Sequence, residues 1–200
     1  MGLVINCKQR SPYWYALRSE RMTASKGQTV AANGKGLESY ILEMMEIYYG
    51  IRKREYFQND AMLRGIELED SAAFLYGVKT GNFGGEVGFI IHGDYFGGSP
   101  DLFKPYDFLT EIKCPGEKAH QKALEGKISS VYKWQMQSEM LITNMDWCHF
   151  VSYNPDFPEK EQLKIIKYER DEKMIDKLKI GIESGTKTIQ EFKLDHERSI

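Results

Sequence analysis

Asp101, Glu111 and Lys113 are the residues of this 200-residue chain whose types and spacing could do chemistry. Asp101 and Glu111 are separated by nine residues, and Lys113 follows Glu111 after one apolar residue. Side chains at i and i+2 of a β-strand share a face, so Glu111 and Lys113 point one way while Ile112 points into the core behind them. A short return from Asp101, across a hairpin or a pair of adjacent strands, brings its carboxylate beside Glu111. Two carboxylates converging in a partly buried site repel each other unless a cation sits between them. Oxygen ligands with no companion His or Cys favour Mg²⁺ or Mn²⁺ over zinc. A lysine on the same face can orient or deprotonate a water, or hold a phosphate oxygen. This is equipment for metal-assisted phosphodiester hydrolysis. The same three residues also arise as surface charges on an edge strand, and the setting separates the two readings. Asp107 to Pro115 reads as a strand stopped by proline, and Asp101 follows the turn-rich run Gly97-Gly98-Ser99-Pro100.

The elements around these residues follow from periodicity and punctuation. Ser11 as N-cap and Pro12 at the first helical position open a short helix closed by Arg18. Thr23 or Ser25 caps a second one through Val30 and Ala31, and Asn33 to Gly36 is a loop. Leu37 to Tyr49 keeps a helical apolar period ending at Gly50, and Ile51 to Phe57 is basic and irregular. Asn59 to about Lys79 reads as a long helix. On it Glu69 shares a face with Met62, Gly65, Ile66, Ala72 and Ala73, while Glu67 lies on the polar side. A carboxylate on a buried face needs a partner; a metal site, a neighbouring lysine or a structural salt bridge would each supply one. From Gly81 the period changes: Gly85 to Ile91, Asp94 to Phe96 and Phe108 to Lys113 read as three strands. Helices over Glu117 to Lys127 and Val131 to Thr143, strands over Trp147 to Tyr153 and Leu163 to Tyr168, and a final helix over Asp171 to Phe192 complete the chain. The order implies an α/β (α+β) fold with a central mixed β-sheet flanked by helices.

Composition narrows the class. The chain is 42% hydrophobic, enough for a sizeable core, and its length suits one domain over residues 1–200. No run of 18 or more apolar residues occurs, which argues against a membrane-spanning helix. Met1 to Arg10 lacks the basic-then-apolar layout of a signal peptide. Cys7, Cys114 and Cys148 are odd in number and lack CxxC spacing, which argues for a reducing cytoplasm and against a disulfide framework or structural zinc. Cys114 beside Lys113 reads as a site-lining group or, more simply, a small buried thiol. A net charge of −2 offers no global attraction to nucleic acid, so any DNA contact must be local.

The run Ser99-Pro100-Asp101, the nine-residue gap and Glu111-Ile112-Lys113-Cys114-Pro115 resemble the PD-(D/E)xK nuclease motif. More closely, the chain is similar to the bacteriophage lambda exonuclease branch, the viral recombinase or alkaline exonuclease group. Further landmarks fall in that family's order: Leu17-Arg18 with Met22-Thr23-Ala24-Ser25, Gly65-x-x-x-Glu69, Trp134-Gln135-Met136-Gln137, Tyr153-Asn154-Pro155, and Tyr168 to Lys173. The likeness runs from about Ser11 to about Glu191. It implies a restriction-endonuclease-like core at 58–200 preceded by N-terminal helices at 1–57. Asp101 and Glu111 would be metal-binding carboxylates, with the Ile112 carbonyl as a further ligand. Lys113 would position the attacking water, and Glu69 would assist at the metal. Gln135, with Gln137 its rival by register, matches a glutamine that the superfamily places near the catalytic lysine. Arg18, Ser25 and Ser99 match positions that would hold the 5′-phosphate of a DNA end. The sequence departs from the family pattern at Leu102, where glycine is usual; a turn needing positive φ would be strained there.

The resemblance implies a Mg²⁺-dependent exonuclease, with Mn²⁺ substituting, that degrades one strand of duplex DNA 5′ to 3′. Products would be mononucleotides and a 3′ overhang for recombination. It also implies a ring-shaped homotrimer and a single-strand annealing protein as partner. A structure-specific or site-specific endonuclease on the same fold is the alternative enzyme, and a catalytically silent DNA-end-binding protein is the alternative of another class. Lys118, Lys122, Lys127 and Lys133 read either as a track for a DNA backbone or as a solvated helix face. Tyr13, Trp14 and Trp134 at helical spacing suit the core as well as base stacking. His92, His120, His149 and His196 form no ligand spacing, and surface positions are expected for them.

Overall fold

The computed structural model describes residues 1–53 and 59–198. In chain order the elements are β1 (Leu3–Ile5), α1 (Pro12–Ser19), β2 (Met22–Thr23), a 3₁₀ turn (Ala24–Lys26), α2 (Gly27–Ala32), α3 (Lys35–Tyr48), α4 (Asp60–Thr80), β3 (Phe89–His92), β4 (Phe96–Gly98), β5 (Leu102–Lys104), β6 (Phe108–Lys113), α5 (Glu117–Leu124), α6 (Ser130–Thr143), β7 (Trp147–Tyr153), β8 (Leu163–Glu169) and α7 (Glu172–Arg198). The mixed α/β class is as the sequence implies. Among the described residues the strands form two four-stranded sheets, ordered β1-β3-β4-β2 and β5-β6-β7-β8. The three strands read after Gly81 are therefore divided between sheets. The basic stretch expected from Ile51 to Phe57 lies, from residue 54 on, outside the described residues.

Local chemistry sets most element ends. The Ser11 side chain accepts from the Trp14 amide at the start of α1, with Pro12 following. Asn59 does the same for the Met62 amide at the start of α4. Neither Thr23 nor Ser25 caps α2; their hydroxyls lie 3.1 Å apart and bond each other. Strands β1, β2 and β5 are absent from the sequence reading because each is only two or three residues long, too short to show a period. The expected Gly85–Ile91 strand contracts to Phe89–His92 for a related reason: the glycines before it carry no side-chain alternation.

The second sheet positions the chemistry. Strand β6 runs antiparallel to β5 and parallel to β7, pairing Leu102 with Thr110 and Glu111 with Phe150. Its two faces meet different cores. Phe108 and Ile112 pack with Leu102, Val151, Tyr153 and Leu163 beneath Ala72 and Tyr76 of α4. Leu109 packs on the other side with Phe150, Cys148, Met136 and Met140, the methionines belonging to α6. Leu102 lies in β5, is buried, and is not among the residues of positive φ, so leucine is accommodated there as an extended core residue. Among the described residues, no helix is long and apolar enough to cross a membrane.

Helix α7 closes the other side of the molecule against α2 and α3. A Cβ added at Gly181 would collide with the Val30 carbonyl. Alanine usually stabilises a helix interior by about 1 kcal/mol relative to glycine. Here the obstacle is a backbone carbonyl, which cannot rotate away, so overpacking of about 2 kcal/mol should win. Gly181→Ala is expected to lower the urea midpoint of unfolding, and a midpoint at or above the parent value would show that α7 can slide on α2.

Candidate active site

Asp101 stands at the junction between the two sheets, between β4 and β5, and its carboxylate accepts a 2.6 Å hydrogen bond from the Ile112 amide of β6. That bond closes the short return expected from the sequence. Glu111, on the α6 face of β6, is 0% exposed. One of its oxygens receives both the Lys113 ammonium and the Gln135 amide, the latter at 2.6 Å. Its other oxygen, Oε2, is buried and has no hydrogen-bond partner. Gln135 also donates to Glu139 one turn later on α6, at 3.1 Å. Asp101, Glu111, Lys113 and Gln135 are thus brought together.

The register question on α6 is decided by geometry. Gln137 points the other way, donating to the Glu169 carbonyl and accepting from the Asp171 amide, so it joins β8 to α7. Glu139 was not singled out by sequence. It is fully buried, and burial first, then the Glu111 charge, push its carboxyl well above the usual carboxylate range. The available signal was its i+4 spacing from Gln135, which puts both on one helix face.

The electrostatics are those of crowded acids around one cation. Burial, and then Glu111, raise Asp101 well above the usual range. For Lys113, burial alone would lower the pKa, but Glu111 and Asp101 outweigh it and raise the group above its ordinary value. The Lys113 ammonium is tied to the buried Glu111 carboxylate and still reaches the cleft, a position suited to orienting a water or an anion. It also lies 5.5 Å from the centre of the Tyr132 ring. The Cys114 thiol is pushed up to about 12, by burial first and Glu69 second, so it is no thiolate nucleophile.

Asp101 and Lys113 open onto a cleft of about 680 Å³, lined also by Arg10, Met62, Gly65, Ile66, Glu69, Ile112, Cys114 and Tyr132 among others, with Glu111 buried behind them. Glu69 faces this cleft from α4, while Glu67 is exposed on the helix's outer side. The partner that Glu69 requires is a salt bridge, Arg10 Nη2 to Glu69 Oε2 at 2.5 Å. Arg10 itself has φ +64°, a left-handed conformation costing an ordinary residue about 1 kcal/mol.

The proposed phosphate-holding residues form a second group next to the first. Trp14 donates from its indole nitrogen to Ser99 Oγ (2.8 Å) and to the Gly88 carbonyl (3.0 Å), and Ser99 Oγ also donates to Gly88 (2.7 Å). The Arg18 guanidinium lies 4.1 Å over the Trp14 ring. Ser25 and Ser99 each follow by two residues a parallel strand pair, Thr23 with Gly97. Trp14 is thus a support for this group, whereas Trp134 packs against the Leu141, Ile175 and Leu178 cluster. One expectation is corrected: His120 is fully buried, bonded to Ser152 Oγ and the Glu161 carbonyl at 2.8 Å each, because a long interior gap between α5 and β7 needs a two-ended polar side chain.

Among the described residues no three His, Cys, Asp or Glu side chains converge as a ready-made metal cage. The donor set still fits a small hard cation. Asp101 and Glu111 are crowded like charges, and Glu111 Oε2 is a buried carboxylate oxygen with nothing to bond. Mg²⁺ retains several waters and commonly takes only one or two protein carboxylates.

Comparisons with known proteins identify the fold and the family. The model of the YqaJ-like viral recombinase domain matches residues 13–146. An alkaline exonuclease, LHK-Exo, from Laribacter hongkongensis superposes with a TM-score of 0.84 at 31% identity, covering 94% of this chain and 97% of that one. The same enzyme in complex with dAMP gives a TM-score of 0.83 over the same coverage. A phage-related exonuclease from Haemophilus somnus 129PT, 17% identical, shares the fold at a TM-score of 0.72 over 88% of this chain and 96% of that one. No curated protein matches the chain. The chain belongs to the YqaJ-like viral recombinase family, within the lambda exonuclease-like group.

Asp101→Asn keeps an acceptor for the Ile112 amide while removing one buried charge beside Glu111. It should stabilise the protein by roughly 1 kcal/mol in EDTA, as substitutions at strained functional sites do. Mg²⁺ should raise the melting temperature of the parent but not of Asp101→Asn. Equal Mg²⁺ shifts in a thermal scan would remove Asp101 from any metal site.

Proposed function

We propose that this protein is a divalent-metal-dependent exonuclease that degrades one strand of linear duplex DNA from its 5′ end. Membership of the family and the 31% identity to an alkaline exonuclease support a nuclease acting on DNA. The observation that carries the chemistry is a pair of adjacent carboxylates, the half-buried Asp101 and the buried Glu111, with Lys113 and Gln135 bonded to the same Glu111 oxygen.

In this reading Asp101, Glu111 and the Ile112 carbonyl hold Mg²⁺, with Mn²⁺ as a substitute, and Glu69 assists from the cleft wall. When bound, the ion supplies Lewis-acid stabilisation of the charge that builds on the phosphoryl oxygens. Lys113 orients the water that attacks phosphorus, and its positive charge favours the developing negative charge nearby. Gln135 fixes the Glu111 carboxylate against rotation. Arg18 supplies a planar fork and Ser25 and Ser99 supply hydroxyls for the terminal 5′-phosphate, with Trp14 holding Arg18 and Ser99 in place. Anchoring the 5′ end in this way sets a 5′-to-3′ direction, releases mononucleotides and leaves a 3′ overhang for recombination. The complex of the Laribacter relative with dAMP is in keeping with a mononucleotide product.

The remaining parts of the proposal rest on the family likeness. A homotrimeric ring around duplex DNA would give processivity to a chain of net charge −2, and a single-strand annealing protein would receive the overhang. Residues 1–200 form one nuclease domain in this reading, with 1–57 completing a catalytic core at 58–200.

The test is digestion of linear duplex DNA bearing one 5′-phosphorylated and one 5′-hydroxyl end, in Mg²⁺ or EDTA, beside a closed circle. Loss of one strand only in Mg²⁺, faster from the phosphorylated end, is expected. Lys113→Ala should reduce the rate by roughly a hundredfold or more, and Arg18→Ala should abolish the preference between ends. Cutting of the circle would replace the exonuclease by an endonuclease. Tight DNA binding without cleavage of either substrate would leave an end-binding protein.

A further inference from the structure

Arg10 occupies a backbone position better suited to glycine, and its side chain reaches into the cleft. Its φ of +64° lies in the left-handed region. The chain on either side is fixed. Gln9 donates from its backbone to Glu86 (2.8 Å) and from its side chain to the carbonyls of Val87 (2.8 Å) and Pro100 (3.4 Å), the last adjoining Asp101. Ser11 caps α1, the helix that carries Trp14 and Arg18. Arg10 is therefore held between the phosphate group of residues and the acidic floor.

Its contact with Glu69 does not account for an arginine in such a position. The pair is open to solvent, with the Arg10 side chain 43% exposed, and exposed ion pairs contribute little to stability. The contact uses one nitrogen, Nη2, whereas a guanidinium presents five N–H donors in a planar fork. Among the described residues, the cations lining the cleft are Arg10 and Lys113, and Lys113 is already bonded to Glu111. Against them stand Asp101, Glu69 and the buried Glu111. Before a metal ion binds, the acids among the described lining residues outnumber the cations, so a phosphate at the cleft wall gains from a guanidinium turned toward it.

We propose that Arg10 contacts a backbone phosphate of the DNA strand lying in this cleft, with Glu69 holding the guanidinium ready at the cleft wall. The proposal rests on the DNA-nuclease reading above and adds a substrate contact to it. When the phosphate arrives, its oxygens take the donors that Glu69 leaves unused.

The experiment is fluorescence anisotropy of a 5′-phosphorylated duplex with a short 3′ overhang, in EDTA so that nothing is cleaved, across a salt series. Arg10→Gly suits the left-handed backbone, so its melting temperature should equal or exceed that of the parent. Its affinity should fall about tenfold, the scale of one lost charged hydrogen-bonded contact. The slope of log K against log salt should become shallower by about 0.7–0.9, the value of one phosphate contact. Arg10→Lys and Glu69→Gln both keep the cation and should keep the parent slope. An unchanged slope in Arg10→Gly, with parent binding intact, overturns the proposal. So does a Glu69→Gln protein that loses affinity and slope as Arg10→Gly does, since Arg10 would then be only a brace for Glu69. Failure of the parent to bind DNA would overturn the nuclease reading and this contact with it.

Discussion

Glu111 is fully and Asp101 partly withdrawn from water, close to one another, and like charges away from bulk solvent repel strongly. Much of the surrounding structure can be read as the response to that constraint. The Ile112 amide, beyond the last β5–β6 pair at Leu102 and Thr110, donates to Asp101. Lys113 and Gln135 converge on one Glu111 oxygen while the other is left bare. Glu139 lies behind, its carboxyl pushed toward the neutral form. A core that wanted only stability would place apolar groups at these positions. Acids retained at these positions suit the metal-assisted chemistry proposed above.

The sheet arrangement is what brings the acids next to the Arg18, Ser25 and Ser99 group. Asp101 leaves β4 of one sheet and enters β5 of the other, so the residues on either side of it belong to different scaffolds. On the β4 side, the parallel pairing with β2 brings the Thr23–Ser25 segment alongside Gly97–Ser99. On the β5 side, the hairpin to β6 brings Glu111 and Lys113. Three residues, Ser99 to Asp101, thus span from one group to the other, which fixes the separation of the Ser99 hydroxyl from the acids.

Much of this was legible in the sequence, and for identifiable reasons. Glu111 and Lys113 could be placed on one face because a six-residue strand has a plain two-residue period. Glu69 could be preferred to Glu67 because a long helix has an arithmetic of faces, although its partner proved to be an arginine far away in sequence. Helices with side-chain caps at Ser11 and Asn59 began where their chemistry said. What escaped was set by tertiary contact. Strands of two or three residues have no period, the division into two sheets is a matter of pairing rather than pattern, and His120 gives no local hint of its buried partners. Arg10 carried no signal because a left-handed φ at a non-glycine residue is imposed by the loop clamped around Gln9. The Leu102 departure was visible in sequence; the structure shows that an extended backbone there makes leucine a core residue.

Gln135 and Gln137 sit two positions apart on α6, on different sides of the helix, one on the acid cluster and the other on the β8–α7 junction. A helix gripped at both sides cannot rotate or shift along its axis without breaking both sets of bonds. Any breathing motion that loosens Glu111 through Gln135 must also release the root of the long C-terminal helix. The acid cluster and α7 therefore belong to one cooperative unit, and the far end of the molecule acts as a mechanical clamp on the centre of its chemistry.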